Sequence, residues 1–204
     1  VARLMLSVWL GTAMSDAKEL LEVEDPAVEV LTQHLGWKEI DAKKAEEMRE
    51  SLKHVHLVQP LLDAIQRFNP WISDDNAQRV VRAIASVQAA SVIEANEKLH
   101  GMLERGTTVL QDLGDGLGKK SQDVLLIDYQ HPENNQFNVV RQFRVLNYKE
   151  NIPDLVLFIN GLPVVVIECK SPTLRTPMEE GLTQVFRYQE MGNEYRNLGC
   201  PQLF

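Results

Sequence analysis

The spacing of apolar positions changes character along this chain, and the change divides it. From residue 16 to 36, Leu20, Leu21, Val28, Leu31 and Leu35 recur at roughly helical spacing. Pro26 predicts a break or a fresh first turn inside that stretch, and Gly36 supplies a stop. Residues 41–105 read as helical throughout. Asp41 can cap a charged helix that ends near His54, and Leu57 to Phe68 gives an apolar helix. Ser73 is the cap of a long segment, Asp75 to Leu103, whose apolar stripe runs through Val80, Val81, Ile84, Val87, Ala90, Ile93 and Leu99. The Gly-rich stretch from Asp112 to Lys120 predicts a loop.

After that loop the period shortens. Val124 to Tyr129 is an apolar run that predicts a strand, His131 to Asn135 a turn, and Phe137 to Leu146 a second strand with alternating side chains. Leu155 to Ile159 and Pro163 to Ile167 are β-branched runs on either side of Asn160-Gly161, the strongest short hairpin signal a sequence offers. The consecutive Val164, Val165, Val166 and Ile167 imply a strand buried on both faces. Thr176 as cap, Pro177 in the first helical position and Glu179 as reciprocal partner open a final helix to about Met191.

The pattern therefore predicts one mixed α/β domain over residues 16–204, a mixed sheet flanked by helices with a helical insertion at about 40–105. Residues 1–15 read as an N-terminal extension: the apolar run from Leu4 to Leu10 fits a secretory leader poorly and is far too short to span a bilayer. Phe204 follows no terminating element, as expected of a piece of a longer protein. Cys169 and Cys200 stand in no metal-ligand spacing and make no disulfide framework, so a reducing cytoplasm is the expected setting. The net charge of -8 lies in residues 1–140, and the remainder balances 7 basic against 7 acidic residues. A free-standing nucleic-acid binder carries a basic footprint, and this chain has none. If it handles DNA, other domains or subunits supply most phosphate contacts.

Candidate chemistry sits at the ends of the predicted hairpin. Asp154 begins one arm, and Glu168 and Lys170 end the other, two residues apart and so on one face of a strand. Two carboxylates can hold Mg²⁺, which polarises a phosphate and acidifies a bound water, while a nearby lysine positions that water or offsets phosphate charge. Register decides whether they meet. A strict two-residue loop pairs Asp154 with Ile167 and puts Glu168 on the opposite face. A three-residue loop, or a bulge, pairs Asp154 with Glu168. The bulge or longer loop is the expectation. Taken alone, such a triplet is also the ordinary pattern of charges on a solvated sheet rim.

Pro153-Asp154 followed by Glu168-Cys169-Lys170 matches the PD-(D/E)xK nuclease pattern, and the stretch from Val140 to Glu168 resembles the N-terminal domain of the type I restriction enzyme endonuclease (R) subunit. Asp128-Tyr129 and Pro132 to Phe137 resemble that family's strand–turn–strand before the motif. The resemblance covers Val124 to about Tyr188, with a looser match from Glu22 to Trp37, and finds no counterpart for residues 40–105. It implies a restriction-endonuclease-like fold and Mg²⁺-dependent hydrolysis of DNA. Asp154 and Glu168 would be catalytic metal ligands with the Cys169 backbone carbonyl, and Lys170 would be the catalytic lysine. Gln184 and Tyr188, the family's Q-x-x-x-Y element, would contact DNA or support the site. It also implies an acidic residue on the first helix that adds a metal contact; Glu24, followed by Asp25, is the best match, with Glu22 and Glu29 as competitors. The expected partners are DNA and the methyltransferase and specificity subunits of a restriction complex, with no membrane. ATP is expected only for a downstream motor outside this chain.

Other motifs fail. Gly114 and Gly118 enclose three residues where a phosphate loop needs four, and no apolar strand directly precedes them. His54-x-His56 lacks a third ligand and reads as solvated on a charged helix. Trp9, Trp37 and Trp71 read as packing residues, as does the Cys169 thiol. Two other readings remain: a non-cutting assembly module of the same fold, and a different PD-(D/E)xK nuclease such as a resolvase or repair nuclease.

Overall fold

The computed structural model describes residues 20–87, 92–114, 116, 118–146, 150–171 and 174–184. The extension assigned to residues 1–15 and the end of the last helix, Tyr188 included, lie outside them. Helix α1 joins the stretches Leu20–Glu24, Asp25–Glu29 and Val30–His34, the outer two more loosely wound and the central one α-helical. Pro26 lies in the first turn of that central stretch, where its missing N–H costs least. Strand β1 (Lys38–Ile40) follows, then helices α2 (Ala42–Glu47), α3 (Val58–Phe68), α4 (Asp74–Ala85) and α5 (Val92–Arg105). The β-rich half holds β2 (Thr107–Asp112), β3 (Lys119–Val124), β4 (Phe137–Arg141), β5 (Val145–Leu146), β6 (Glu150–Asn151), β7 (Leu155–Ile159) and β8 (Leu162–Ile167). Helix α6 occupies residues 177–184.

The main sheet has the order β1-β4-β7-β8, with β1 parallel to β4 and the other pairs antiparallel, so it is mixed. Successive side chains on β4 and β7 feed opposite layers. Val139, Leu155 and Leu157 pack with Val28 and Leu31 of α1 and with Cys169. Val140, Val156 and Phe158 pack on the other side with Ala45 of α2, Val55, Leu57 and Phe143. A third cluster joins Leu61 and Ile65 of α3 and Val80, Val81 and Ile84 of α4 to Val124, Leu126, Ile127 and Leu162. The region expected as a helical insertion thus shares cores with the sheet.

Several expectations need correction. Helix α2 ends at Glu47, well short of His54, because the chain turns back around the buried Arg49 guanidinium. That group donates to the carbonyls of Ala45, His54 and Arg144 and stacks 4.3 Å from the Phe143 ring centroid. His56, read as solvated, is 3% exposed, and burial, helped by nearby His54 and Arg49, pushes its pKa down to about 4. The long helix from 75 to 103 is interrupted: α4 stops at Ala85, and Ser86 donates both its N–H and its hydroxyl to the Arg82 carbonyl, a side-chain competitor for helical bonding.

The run from Val124 to Tyr129 is not a strand beyond Val124. Leu126 and Ile127 are buried in a loop whose backbone groups are met by side-chain amides: Asn69 bonds both the N–H and the carbonyl of Leu125, and Asn160 donates to the Leu126 carbonyl. The ribbon of β2 and β3 was unforeseen because Lys119 to Asp123 is polar and mostly exposed, a stretch paired in register with Thr108 to Asp112 without an apolar face of its own. Strand β8 is an edge, with Val165 44% exposed; β7 is the strand buried on both faces.

Asn160 and Gly161 form the β7–β8 turn with φ of 52° and 79°. Asn160 is fully buried, accepts from Gln136 N–H at 2.8 Å and donates to Asn135 Oδ1 at 2.8 Å. The Gly161 carbonyl accepts from Leu57 N–H at 2.8 Å, so the turn seats on the start of α3. A Cβ at 161 would lie 2.5 Å from the Leu57 carbonyl oxygen and 2.9 Å from the Leu61 nitrogen, both backbone. Gly161→Ala is therefore expected to lower stability by about 2–3 kcal/mol, seen as a fall in the urea midpoint with an unchanged slope.

Candidate active site

A bulge shifts the register of the β7–β8 hairpin. At the turn Ile159 faces Leu162 and Phe158 faces Pro163, a two-residue connection. Between Leu157 and Phe158 the register shifts, so Leu157 faces Val165, Val156 faces Val166 and Leu155 faces Ile167. Val164 is the extra residue. The slip continues the pairing toward Asp154 opposite Glu168, the register that the sequence required of a bulge.

Beyond the strand ends the three side chains converge. Lys170 Nζ lies 3.9 Å from Asp154 Oδ2 and 4.0 Å from Glu168 Oε2, so the two acids flank one ammonium. The side chains of Asp154 and Lys170 are 14% and 16% exposed and that of Glu168 is 3% exposed. The Cys169 N–H donates to Asp154 Oδ2 at 2.7 Å, and Lys170 Nζ donates to the Cys169 carbonyl at 2.8 Å. The Cys169 side chain is buried in the core beneath α1, as expected of a packing residue. Helix α6 passes close by: a Cβ on Gly181 would lie 3.6 Å from Lys170 Cγ. Gln184, half-buried, belongs to this helix, and its companion Tyr188 is beyond the described residues.

Of the acids on α1, Glu24 is the buried one, and Asp25 beside it also reaches the sheet at Arg141. Glu24 is 4% exposed, while Glu22 and Glu29 point to solvent. Gln142 Nε2 donates to Glu24 Oε2 at 3.2 Å and to Asp154 Oδ1 at 3.4 Å. Arg141 sits 3.7 Å from Glu24 Oε1 and 2.8 Å from Glu39 Oε1, and it also bonds Asp25. Burial raises the Glu24 pKa, partly offset by the Gln142 bond; the Asp154 charge raises it further. Burial disfavours the Arg141 charge, but Asp25, Glu39 and Glu24 outweigh it and hold its pKa above the ordinary value.

The oxygens of Asp154, Glu168 and the Cys169 carbonyl are hard donors that suit Mg²⁺, and both carboxylates already converge on one cation, the Lys170 ammonium. Among the described residues no three His, Cys, Asp or Glu side chains gather closely enough to hold a metal ion. The ligand set on offer is thus two carboxylates and one carbonyl, with Glu24 joined to it through Gln142. Sequence reading missed Gln142 and Arg141. Both lie in the stretch that carries the resemblance, yet nothing in a strand-end Arg-Gln reveals the turn that aims them at α1.

The sequence matches the family described as type I restriction enzyme R protein N terminus over residues 17–204. The chain belongs to that family. It is 31% identical over 183 residues, 83% of this chain and 17% of the relative, to a putative type I restriction enzyme MjaIXP endonuclease subunit from Methanocaldococcus jannaschii. It is 29% identical over 147 residues, 69% of this chain and 14% of the relative, to the type I restriction enzyme HindI endonuclease subunit of Haemophilus influenzae. It therefore spans less than a fifth of the length of these curated relatives. The R-protein family match runs through residues 40–105, the segment for which the motif resemblance has no counterpart. No helix among the described residues is long and apolar enough to cross a membrane.

Because the folded pKa of Glu24 is raised, its contribution to stability is fully present below the ordinary value of 4.5 and is lost as pH rises through the raised value. Glu24→Gln does not titrate. In metal-free buffer it should melt above the wild type at neutral pH, and the gap should close as pH falls to about 4. A gap independent of pH would contradict the assignment.

Proposed function

We propose that this chain is the nuclease domain of a type I restriction enzyme endonuclease subunit and hydrolyses phosphodiester bonds in DNA with Mg²⁺. The observation that carries the reading is the single point at which Lys170 Nζ meets both Asp154 Oδ2 and Glu168 Oε2, at the end of a bulged hairpin. The relatives named as endonuclease subunits support it. So does the mixed sheet between helical layers, as expected of a PD-(D/E)xK fold.

Asp154, Glu168 and the Cys169 carbonyl would hold the metal. Bound Mg²⁺ supplies charge for the phosphate and acidifies a coordinated water. Asp154 is held in place by the Cys169 N–H, so its carboxylate is oriented before substrate arrives. Lys170 is the one cationic side chain that touches both acids among the described residues. It is placed to orient the attacking water and to offset charge on the phosphate oxygens as the phosphorus is attacked. Gln184, on the helix that follows, and Tyr188 would contact DNA or support the site. The absence of a basic footprint, with a net charge of -8, assigns most DNA affinity to other parts of the assembly. Methyltransferase and specificity subunits are the partners this reading implies.

In the assembled restriction complex with Mg²⁺, Asp154→Ala, Glu168→Ala and Lys170→Ala should each reduce DNA cleavage by roughly a hundredfold or more, with DNA retention and circular dichroism unchanged. Cleavage by Lys170→Ala at the wild-type rate would refute the role given to the lysine. Loss of nothing in any of the three would favour a non-cutting assembly module.

A further inference from the structure

An unusual residue follows strand β4. Gln142 has φ of 49°, a left-handed conformation that non-glycine residues seldom adopt. The turn is held by the backbone: Gln142 N–H donates to the Asp154 carbonyl at 2.8 Å, and Phe143 N–H donates to the Pro153 carbonyl at 3.1 Å. Phe143 is buried against Phe158, with ring centroids 5.2 Å apart, which anchors the far side of the turn. The left-handed twist leaves the Gln142 side chain at the exposed mouth of the site. There its one amide nitrogen donates to Glu24 Oε2 from α1 and to Asp154 Oδ1 from the start of β7.

Each feature of this arrangement suits a neutral double donor. A carboxamide nitrogen carries two hydrogens and can serve two acceptors without adding charge. Asp154 is thereby held from both sides, by Gln142 at Oδ1 and by Cys169 N–H at Oδ2. Glu24 is buried and cannot turn to solvent for a partner. Arg141, the preceding residue, fixes the other side of Glu24 along with Asp25 and Glu39, so α1 is clamped to the strand that carries the amide.

We propose that Gln142 is a positioning residue of the nuclease site: its amide bridges Glu24 and Asp154 and sets the orientation of the Asp154 carboxylate toward Lys170 and Glu168. This rests on the proposed function, since it takes Asp154 as a metal ligand. Side chains that orient a ligand without touching the metal typically change metal affinity by about ten- to a hundredfold when removed.

The test uses two variants and two readouts. Gln142→Met keeps length without a donor, and Gln142→Gly removes the side chain while accepting the left-handed backbone. Mn²⁺ binding to this chain, followed by calorimetry, should weaken about tenfold or more in both variants. In the assembled complex kcat should fall with the KM for DNA unchanged. Thermal stability should separate the two variants, because only the glycine accommodates the turn freely. Wild-type Mn²⁺ affinity and kcat in Gln142→Met would overturn the proposal. A wild-type chain that binds no Mn²⁺ even with DNA would instead sink the nuclease reading, and with it any role in orienting a metal ligand. The bridge itself is read apart from metal, from the Gln142 side-chain amide signals in nuclear magnetic resonance. They should shift in both Glu24→Gln and Asp154→Asn, and signals indifferent to both would also overturn the proposal.

Discussion

One residue of slip in one hairpin governs the chemistry of this fold. Without the irregularity between Leu157 and Phe158, the two-residue turn at Asn160-Gly161 would carry Ile167 opposite Asp154 and send Glu168 to the other face. Val164 absorbs the extra position, and the acids fall on one side, where Lys170 reaches both. The turn has little freedom to compensate. Asn160 is buried in a network with Asn135, Gln136 and Leu126, and Gly161 abuts the backbone at the start of α3. The helices of the 40–105 segment therefore bear on the site: α3 fixes the tip of the hairpin, and the bulge fixes its open end.

Much of this was legible in the residues. Asn160-Gly161 between β-branched runs announced a hairpin, because only φ-permissive residues fit such a turn. The spacing of Asp154, Glu168 and Lys170 then forced a choice of register, which the structure resolves through the bulge. What failed to show was set by tertiary partners. Val164 to Val166 looked like an interior strand because composition does not say which neighbour a strand lacks. Leu125 and Leu126 looked like part of a strand because side-chain amides take the place of a ladder, Asn69 bonding Leu125 from 56 residues away and Asn160 meeting the Leu126 carbonyl. Lys119 and Lys120, the start of β3, fell within the expected loop because a solvated ribbon needs no apolar face. Gln142 gave no signal, since its left-handed φ follows from bonds to Pro153 and Asp154 that exist only once the strands pair.

Electrostatics ties the layers together. Glu24, Asp154 and Glu168 bring three acids to one end of the sheet, with Lys170 on one side and Arg141 on the other. Burial raises the Glu24 pKa, and the charge of Asp154 adds to the rise. Such an arrangement is costly in a folded chain unless a cation or proton relieves it, and the proposed nuclease chemistry gives the acid excess a purpose. Within the type I restriction R-protein family, of whose curated members this chain spans less than a fifth, the domain would supply the cutting centre and leave affinity and target choice to other parts of the assembly.

The most direct test is to locate the metal. Anomalous diffraction from crystals of this chain grown with Mn²⁺ should place a peak in contact with the carboxylates of Asp154 and Glu168 and the carbonyl of Cys169. A peak bound elsewhere, with those three groups untouched at saturating Mn²⁺, would contradict the account.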